Sequence, residues 1–249
     1  MRLTFLGTAA SYPDAGRACA GYLLQAGDTS VLFDCGNGVL GNLGQVMDPT
    51  RLDAVFVTHA HVDHFADVYA LQAALRYAPA GPLPPLPLYV PDGLFERMGS
   101  VLTEHGAYEL TEAFQPHELA DGVPVRIGPI TVTPHLVPHI DPTFALCADA
   151  GGGRLCYTSD TAPGISAHEA IRGTKVLLAD ATLPILYEDR APHMTPAQAA
   201  TLARDAGAET LVLTHLWPTV DRDGAAADAA AIFGGRVIVA EELGSIDID

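Results

Sequence analysis

The stretch Ala54-Val55-Phe56-Val57-Thr58-His59-Ala60-His61-Val62-Asp63-His64 joins an apolar run to three imidazoles and a carboxylate. Val55, Phe56 and Val57 are β-branched or aromatic and read as a buried strand. The histidines therefore sit at a strand end, where a parallel sheet presents its functional loops. Residues two apart in an extended chain share a face, so His59 and His61 point the same way. Asp63 and His64 begin the next turn or helix and approach from another side, a spacing that suits two metal ions. The competing reading, a solvated His-rich turn, does not account for four ligand-type groups gathered at one strand end.

Working outward, 3–6, 21–25 and 31–34 read as short strands separated by turns bearing Gly and Asp. After the motif, 65–77 carries Val68, Leu71 and Leu75 at helical spacing, and Pro79 stops it. The run 79–91 holds too many prolines for a helix or a central strand and fits a rigid surface connection, apart from a short extended piece at Leu88-Tyr89-Val90. Strands follow at 123–127, 130–133 and 144–148. Gly151-Gly152-Gly153 makes a hairpin turn into 155–157, without the spacing of a phosphate-binding loop. The remainder alternates: helix 165–171, strand 176–179, helix 195–205, strand 211–213, helix 225–232, strand 237–239.

Thr210-Leu211-Val212-Leu213-Thr214-His215 echoes Ala54 to His59, an apolar strand ending in Thr-His in each half, as a duplicated unit would give. Two sheets face to face with helices outside, and both Thr-His ends at one rim, make a four-layer αββα sandwich of the α/β class.

A chain of 249 residues, 49% hydrophobic, buries a full core as one domain over 1–249. Thirteen Lys plus Arg against 30 Asp plus Glu, a net charge of −17, disfavour a long nucleic-acid partner. Cys19, Cys35, Cys147 and Cys156 lack finger or redox spacing and read as reduced core thiols. No secretory signal or membrane-length apolar run is seen, so a cytoplasmic protein is expected. His105, His117 and His168 lack nearby ligand partners and read as surface or structural groups; Tyr12, Arg17 and Tyr77 could line a base or phosphate pocket, but read first as surface packing.

Phe5-Leu6-Gly7-Thr8, Phe33-Asp34-Cys35-Gly36, the 59–64 element, His139, Ser159-Asp160-Thr161 and Leu213-Thr214-His215 occur in an order that resembles metallo-β-lactamase-fold hydrolases. The ribonuclease Z branch and its smaller phosphodiesterase relatives are the most similar, and the resemblance covers nearly the whole chain. It implies one metal on His59, His61 and His139, a second on Asp63, His64 and His215, and Asp160 bridging both, with Asp63 also a catalytic candidate. His139 is preferred over His135 because Phe144 and Leu146 follow it as the next strand, which is similar to the family's His-then-aromatic arrangement, whereas His135 lies one strand face earlier. The mixed nitrogen and oxygen donors suit zinc, with manganese or iron as alternatives. Asp34 is given an orienting role toward ligand histidines, beside a plain turn-capping one.

Two metals about 3.5–4 Å apart hold a hydroxide between them and clamp the attacking and departing oxygens of an ester. The leaving alkoxide needs a proton. His193, before a helix that Thr195 caps, is similar in position to the acid of the ribonuclease Z branch, with Asp180 where the family usually has glutamate. Aspartate is shorter by one methylene, so the same hydrogen bond needs a closer backbone or a water. The transfer-RNA processing members carry a long basic, Gly-rich arm with no counterpart here, which favours a small phosphodiester such as a cyclic nucleotide. The alternatives are a ribonuclease Z-type endonuclease, a lactonase or thioesterase, and a non-catalytic metal-binding sensor. The resemblance also implies a homodimer through the helix after His64 and the Pro-rich segment.

Overall fold

The computed structural model describes residues 1–79, 81–164 and 171–249. The helix expected over 165–171 lies, apart from Ile171, outside the described residues, as does His168. In chain order the strands are β1 (Arg2–Gly7), β2 (Gly21–Ala26), β3 (Thr29–Phe33), β4 (Ala54–Phe56), β5 (Leu86–Val90), β6 (Phe114–Glu118), β7 (Val125–Ile127), β8 (Ile130–Leu136), β9 (Phe144–Ala150), β10 (Gly153–Tyr157), β11 (Val176–Asp180), β12 (Thr210–Thr214), β13 (Arg236–Val239) and β14 (Ser245–Asp247).

They form two seven-stranded sheets, ordered β14-β1-β2-β3-β4-β5-β6 and β13-β12-β11-β10-β9-β8-β7. Alternation along the strands decides which side chains meet. On β3, Val31 and Phe33 face the core between the sheets while Leu32 packs under the helices; on β4, Ala54 and Phe56 face inward while Val55 packs outward. The inter-sheet core also takes Tyr22, Phe144, Leu146, Tyr157 and Val212, and each outer face is covered by helices: Val39–Val46, Val68–Tyr77, Leu94–Ser100 and Glu104–Ala113 on the first sheet, Pro196–Ala206 and Arg222–Phe233 on the second. This is the αββα sandwich.

Each sheet runs through three antiparallel pairings and then three parallel ones, β14 through β3 to β6 and β7 through β10 to β13. The sheets thus repeat one another, but the Thr-His strands do not correspond: β4 lies next to the antiparallel half of its sheet, and β12 one strand further out.

The helix expected over 65–77 starts at Val68, because residues 62–64 form a separate 3-10 turn and the Asp67 carboxylate accepts a hydrogen bond from the Leu40 N–H. The four-thiol expectation is corrected: Cys147 and Cys156 are disulfide-bonded, since the β9–β10 register sets them directly opposite, Cα–Cα 4.1 Å apart. Cys19 and Cys35 are free and buried. Among the described residues no helix is long and apolar enough to cross a membrane.

Candidate metal centre

The ends of β3, β4, β10, β11 and β12 converge at one rim of the sandwich, and the chain is bent there against its own preference. Of the six non-glycine residues with positive φ among the described residues, Ser11, Asp34, Ser159 and His215 all border this rim, at φ between 53° and 63°. Such strain persists where surrounding structure enforces it, and it gathers at functional sites. Gly36 serves the same end by absence: a Cβ there would overlap the Asp63 carbonyl, so only glycine lets the metal-motif turn pack on the β3 end.

One donor atom from each of His59, His61, His139 and Asp160 falls within 4.8 Å of the others; Asp63, His64 and His215 form a second such group, and Asp160, His193 and His215 a third. His139 Nε2 and His61 Nδ1 are 3.1 Å apart, and His64 Nε2 and His215 Nε2 3.3 Å. Asp160 lies between the groups, 3.6 Å from His59 and His139, 3.3 Å from His64 and 3.4 Å from His215. His59 Nε2 and Asp160 Oδ1 are buried without a hydrogen-bond partner among the described residues. Lone pairs converging on one space, with buried donor atoms left over, fit a bound cation and its nitrogen and oxygen ligands. His135 lies elsewhere, on β8 near Asp121 and Arg154; His105 is exposed, and His117 stacks on Tyr89.

What lies behind each ring fixes which nitrogen faces inward. The His139 Nδ1–H donates to the Pro192 carbonyl at 2.9 Å, and His59 Nδ1 is 3.1 Å from Thr58 Oγ1, which Ser159 also reaches. His64 Nδ1–H donates to Asp34 at 2.7 Å. Asp34, fully buried, also accepts from the Thr58 N–H and hydroxyl and from the Tyr157 hydroxyl of the other sheet. His215 Nδ1–H donates to Thr182 Oγ1 at 2.8 Å, and the Thr182 hydroxyl donates to Asp180. Asp63 accepts from the Ser11 N–H at 2.7 Å.

Burial pushes down the pKa of His59, His61 and His139. Burial acts on His64 and His215 in the same sense but is overcome: Asp160 and Asp34 hold His64 well above the ordinary value, and Asp160, Asp180 and Asp63 raise His215 to about 10. Asp160, despite burial, is held well below the usual carboxylate range by His215 and His64.

Asp180 Oδ2 is 3.0 Å from His193 Nδ1, a direct hydrogen bond requiring no water. Aspartate suffices because β11 carries its backbone to the rim and the chain returns at His193 ahead of the helix Pro196–Ala206, which Thr195 caps with Gln198 in a reciprocal box. Residue-type reasoning missed the hydroxyls of Thr58, Ser159 and Thr182 and the Tyr157 phenol. Their only signal is position, at or just past strand ends that also carry acids or histidines.

Residues 29–216 match the family model described as the β-lactamase superfamily domain. The chain is 33% identical over 244 residues to an uncharacterized protein of Mycobacterium tuberculosis, covering 95% of this chain and 88% of that one. It is 31% identical over 248 residues, 97% of each chain, to YhfI of Bacillus subtilis, named a probable metallo-hydrolase. The crystal structure of YhfI superposes with a TM-score of 0.88 at 28% identity over 98% of both chains. That of the short form of human tRNase Z does so at 0.79 and 26% identity over 100% of both.

Proposed function

The chain belongs to the β-lactamase superfamily as a metallo-hydrolase, and on that premise we propose that it hydrolyses a small phosphodiester, such as a cyclic nucleotide, with two divalent metals, zinc by the chemistry of the donors. His59, His61 and His139 would hold one metal, Asp63, His64 and His215 the other, and Asp160 would bridge them. When bound, the metals supply charge neutralisation at the phosphoryl oxygens and make a water acidic enough to attack near neutral pH.

The observation that carries this reading is the His193–Asp180 pair at 3.0 Å, beside the ligand groups. An alkoxide leaving phosphorus needs a proton, whereas a thiolate departs without one. Burial opposes a charged His193, but the hydrogen bond and charge of Asp180 outweigh it and raise its pKa. With Nδ1 tied to Asp180, the proton to be given sits on Nε2. Asp63, fixed by the Ser11 N–H and held well below the usual carboxylate range by His215 and His64 despite burial, would serve as an ionised ligand. The tRNase Z likeness supports ribonuclease Z activity as a second reading; 13 basic against 30 acidic residues weigh against a long RNA.

Metal-loaded protein assayed on bis-p-nitrophenyl phosphate, 3′,5′-cyclic AMP, a precursor tRNA and a lactone tests the reading. Turnover of the first two is expected. Preference for the tRNA would select the ribonuclease, and turnover of the lactone alone would overturn both.

A further inference from the structure

Resting on that reading, we infer that the turn Ile185–Tyr187 and Trp217 form a subsite for a flat aromatic group of the substrate, a nucleobase, next to the metal centre. Three segments that carry the centre also expose apolar side chains. Tyr12, 50% exposed, follows Ser11, which is bonded to Asp63; Val62, 65% exposed, lies between His61 and Asp63. Ile185, Leu186 and Tyr187, exposed by 61, 77 and 46%, sit on the loop between Thr182 and His193. These are five of the twelve large hydrophobic residues exposed among the described residues. Scattered exposed apolar groups need no explanation, but a concentration around a reactive centre marks a binding surface.

The loop is anchored to the centre at its base. The Leu183 N–H donates to the Met194 carbonyl, the Pro192 carbonyl receives the His139 Nδ1–H, and Gln198 donates to Asp189. Trp217, the chain's single tryptophan and half-buried, comes two residues after His215, on a segment that the Leu216 N–H ties to the Thr8 carbonyl. Its ring meets that of Tyr187 edge to face, centroids 6.3 Å apart at 74°. An aromatic pair thus stands where the His193 loop and the His215 loop join.

Charge selects the occupant. At net −17 the chain offers a compact anion little long-range attraction, and the arginines of these segments are Arg17 and Arg190. Stacking on aromatic rings is independent of charge and accepts any base. A mononucleotide diester satisfies both halves, its phosphoryl group at the metals and its base against Tyr187 and Trp217.

Trp217 is its own reporter. Adenosine 5′-monophosphate, titrated into the metal-loaded protein, is expected to change the tryptophan fluorescence saturably, at concentrations at least about tenfold below those needed for ribose 5-phosphate. Tyr187→Ala should weaken binding of the nucleotide about 5- to 100-fold, leave ribose 5-phosphate unchanged, and raise KM for cyclic AMP more than it lowers kcat. Tyr108→Ala, an exposed tyrosine on the helix Glu104–Ala113, should change none of these. Equal affinity for nucleotide and sugar phosphate, or an unaltered nucleotide affinity in Tyr187→Ala, would overturn the subsite. The same holds if Tyr187→Ala halves the mass in light scattering while sparing nucleotide binding, since the patch would then join two copies. Binding is read without turnover, so the two readings fail separately. Nucleotide binding through Tyr187 without diester hydrolysis keeps the subsite and refutes the phosphodiesterase. Hydrolysis of bis-p-nitrophenyl phosphate without nucleotide preference does the reverse.

Discussion

His59 and His139 are backed by uncharged groups, the hydroxyls of Thr58 and Ser159 and the carbonyl of Pro192, whereas His64 and His215 are backed by buried carboxylates, Asp34 directly and Asp180 through Thr182. Burial alone lowers the pKa of every imidazole here. Asp160 opposes burial at all of these rings, and the sign reverses only where Asp34 adds to it at His64 and Asp180 and Asp63 add to it at His215, so His59, His61 and His139 go down while His64 and His215 go up. As metal ligands, one set would be ready in neutral form; the other, more basic, would donate more charge and would have to give up protons first.

Asp160 faces both sets, so its loss breaks the comparison at the root and has the largest effect. Asp160→Ala is expected to shed metal from both and to bring turnover to background; full metal content by elemental analysis of the dialysed variant would mean the sets assemble independently of it. His193→Ala removes a group that belongs to neither set. Metal content should be retained while turnover falls about 10²–10⁴-fold; metal loss would show that the third group, Asp160 with His193 and His215, is itself a ligand set.

His59, His61, Asp63 and His64 are legible together in one motif beyond a β-branched run, and His215 in the echo of its Thr-His strand end, whereas His139 rests on the family resemblance. The strand order is legible because β3, β11 and β12 each hold at least three consecutive apolar residues. The helices Leu94–Ser100 and Glu104–Ala113 and the strand Phe114–Glu118 were not read, because they carry charged residues and His117 among few apolar ones and draw their stability from packing on the first sheet. What stands behind the rings depends on register. Tyr157 reaches Asp34 across 123 residues and the gap between the sheets, and Cys147 meets Cys156 only once β9 is set against β10. Thr182 carries no signal of its own until β11 and β12 pair and bring His215 to its hydroxyl.

Thr182 therefore offers the sharpest test short of a ligand. Thr182→Val keeps the shape and removes the hydroxyl that joins His215 to Asp180. It should weaken metal binding to the carboxylate-backed set about 10- to 100-fold, with recovery in Thr182→Ser. Ser159→Ala, behind His59, should do less, because Thr58 still backs that ring. Equal losses in calorimetric titration of the two variants would erase the distinction between the sets.

Protonation gives the smallest effect and the most direct one. His64 and His215 have pKa values above the ordinary 6.5, His215 at about 10, so in the metal-free protein they carry protons at pH 7. A metal entering there must expel them, so its affinity falls as pH falls, by about tenfold per pH unit for each proton displaced. Burial moves His59, His61 and His139 below the ordinary value, so they are predominantly neutral at pH 7 and loading their position depends less on pH. Titration of metal into metal-free protein at pH 7, in buffers of different ionisation enthalpy, should show one step with little proton release and one that releases protons. Equal release in both steps would mean that the carboxylates behind His64 and His215 shift the rings no further than burial shifts the others.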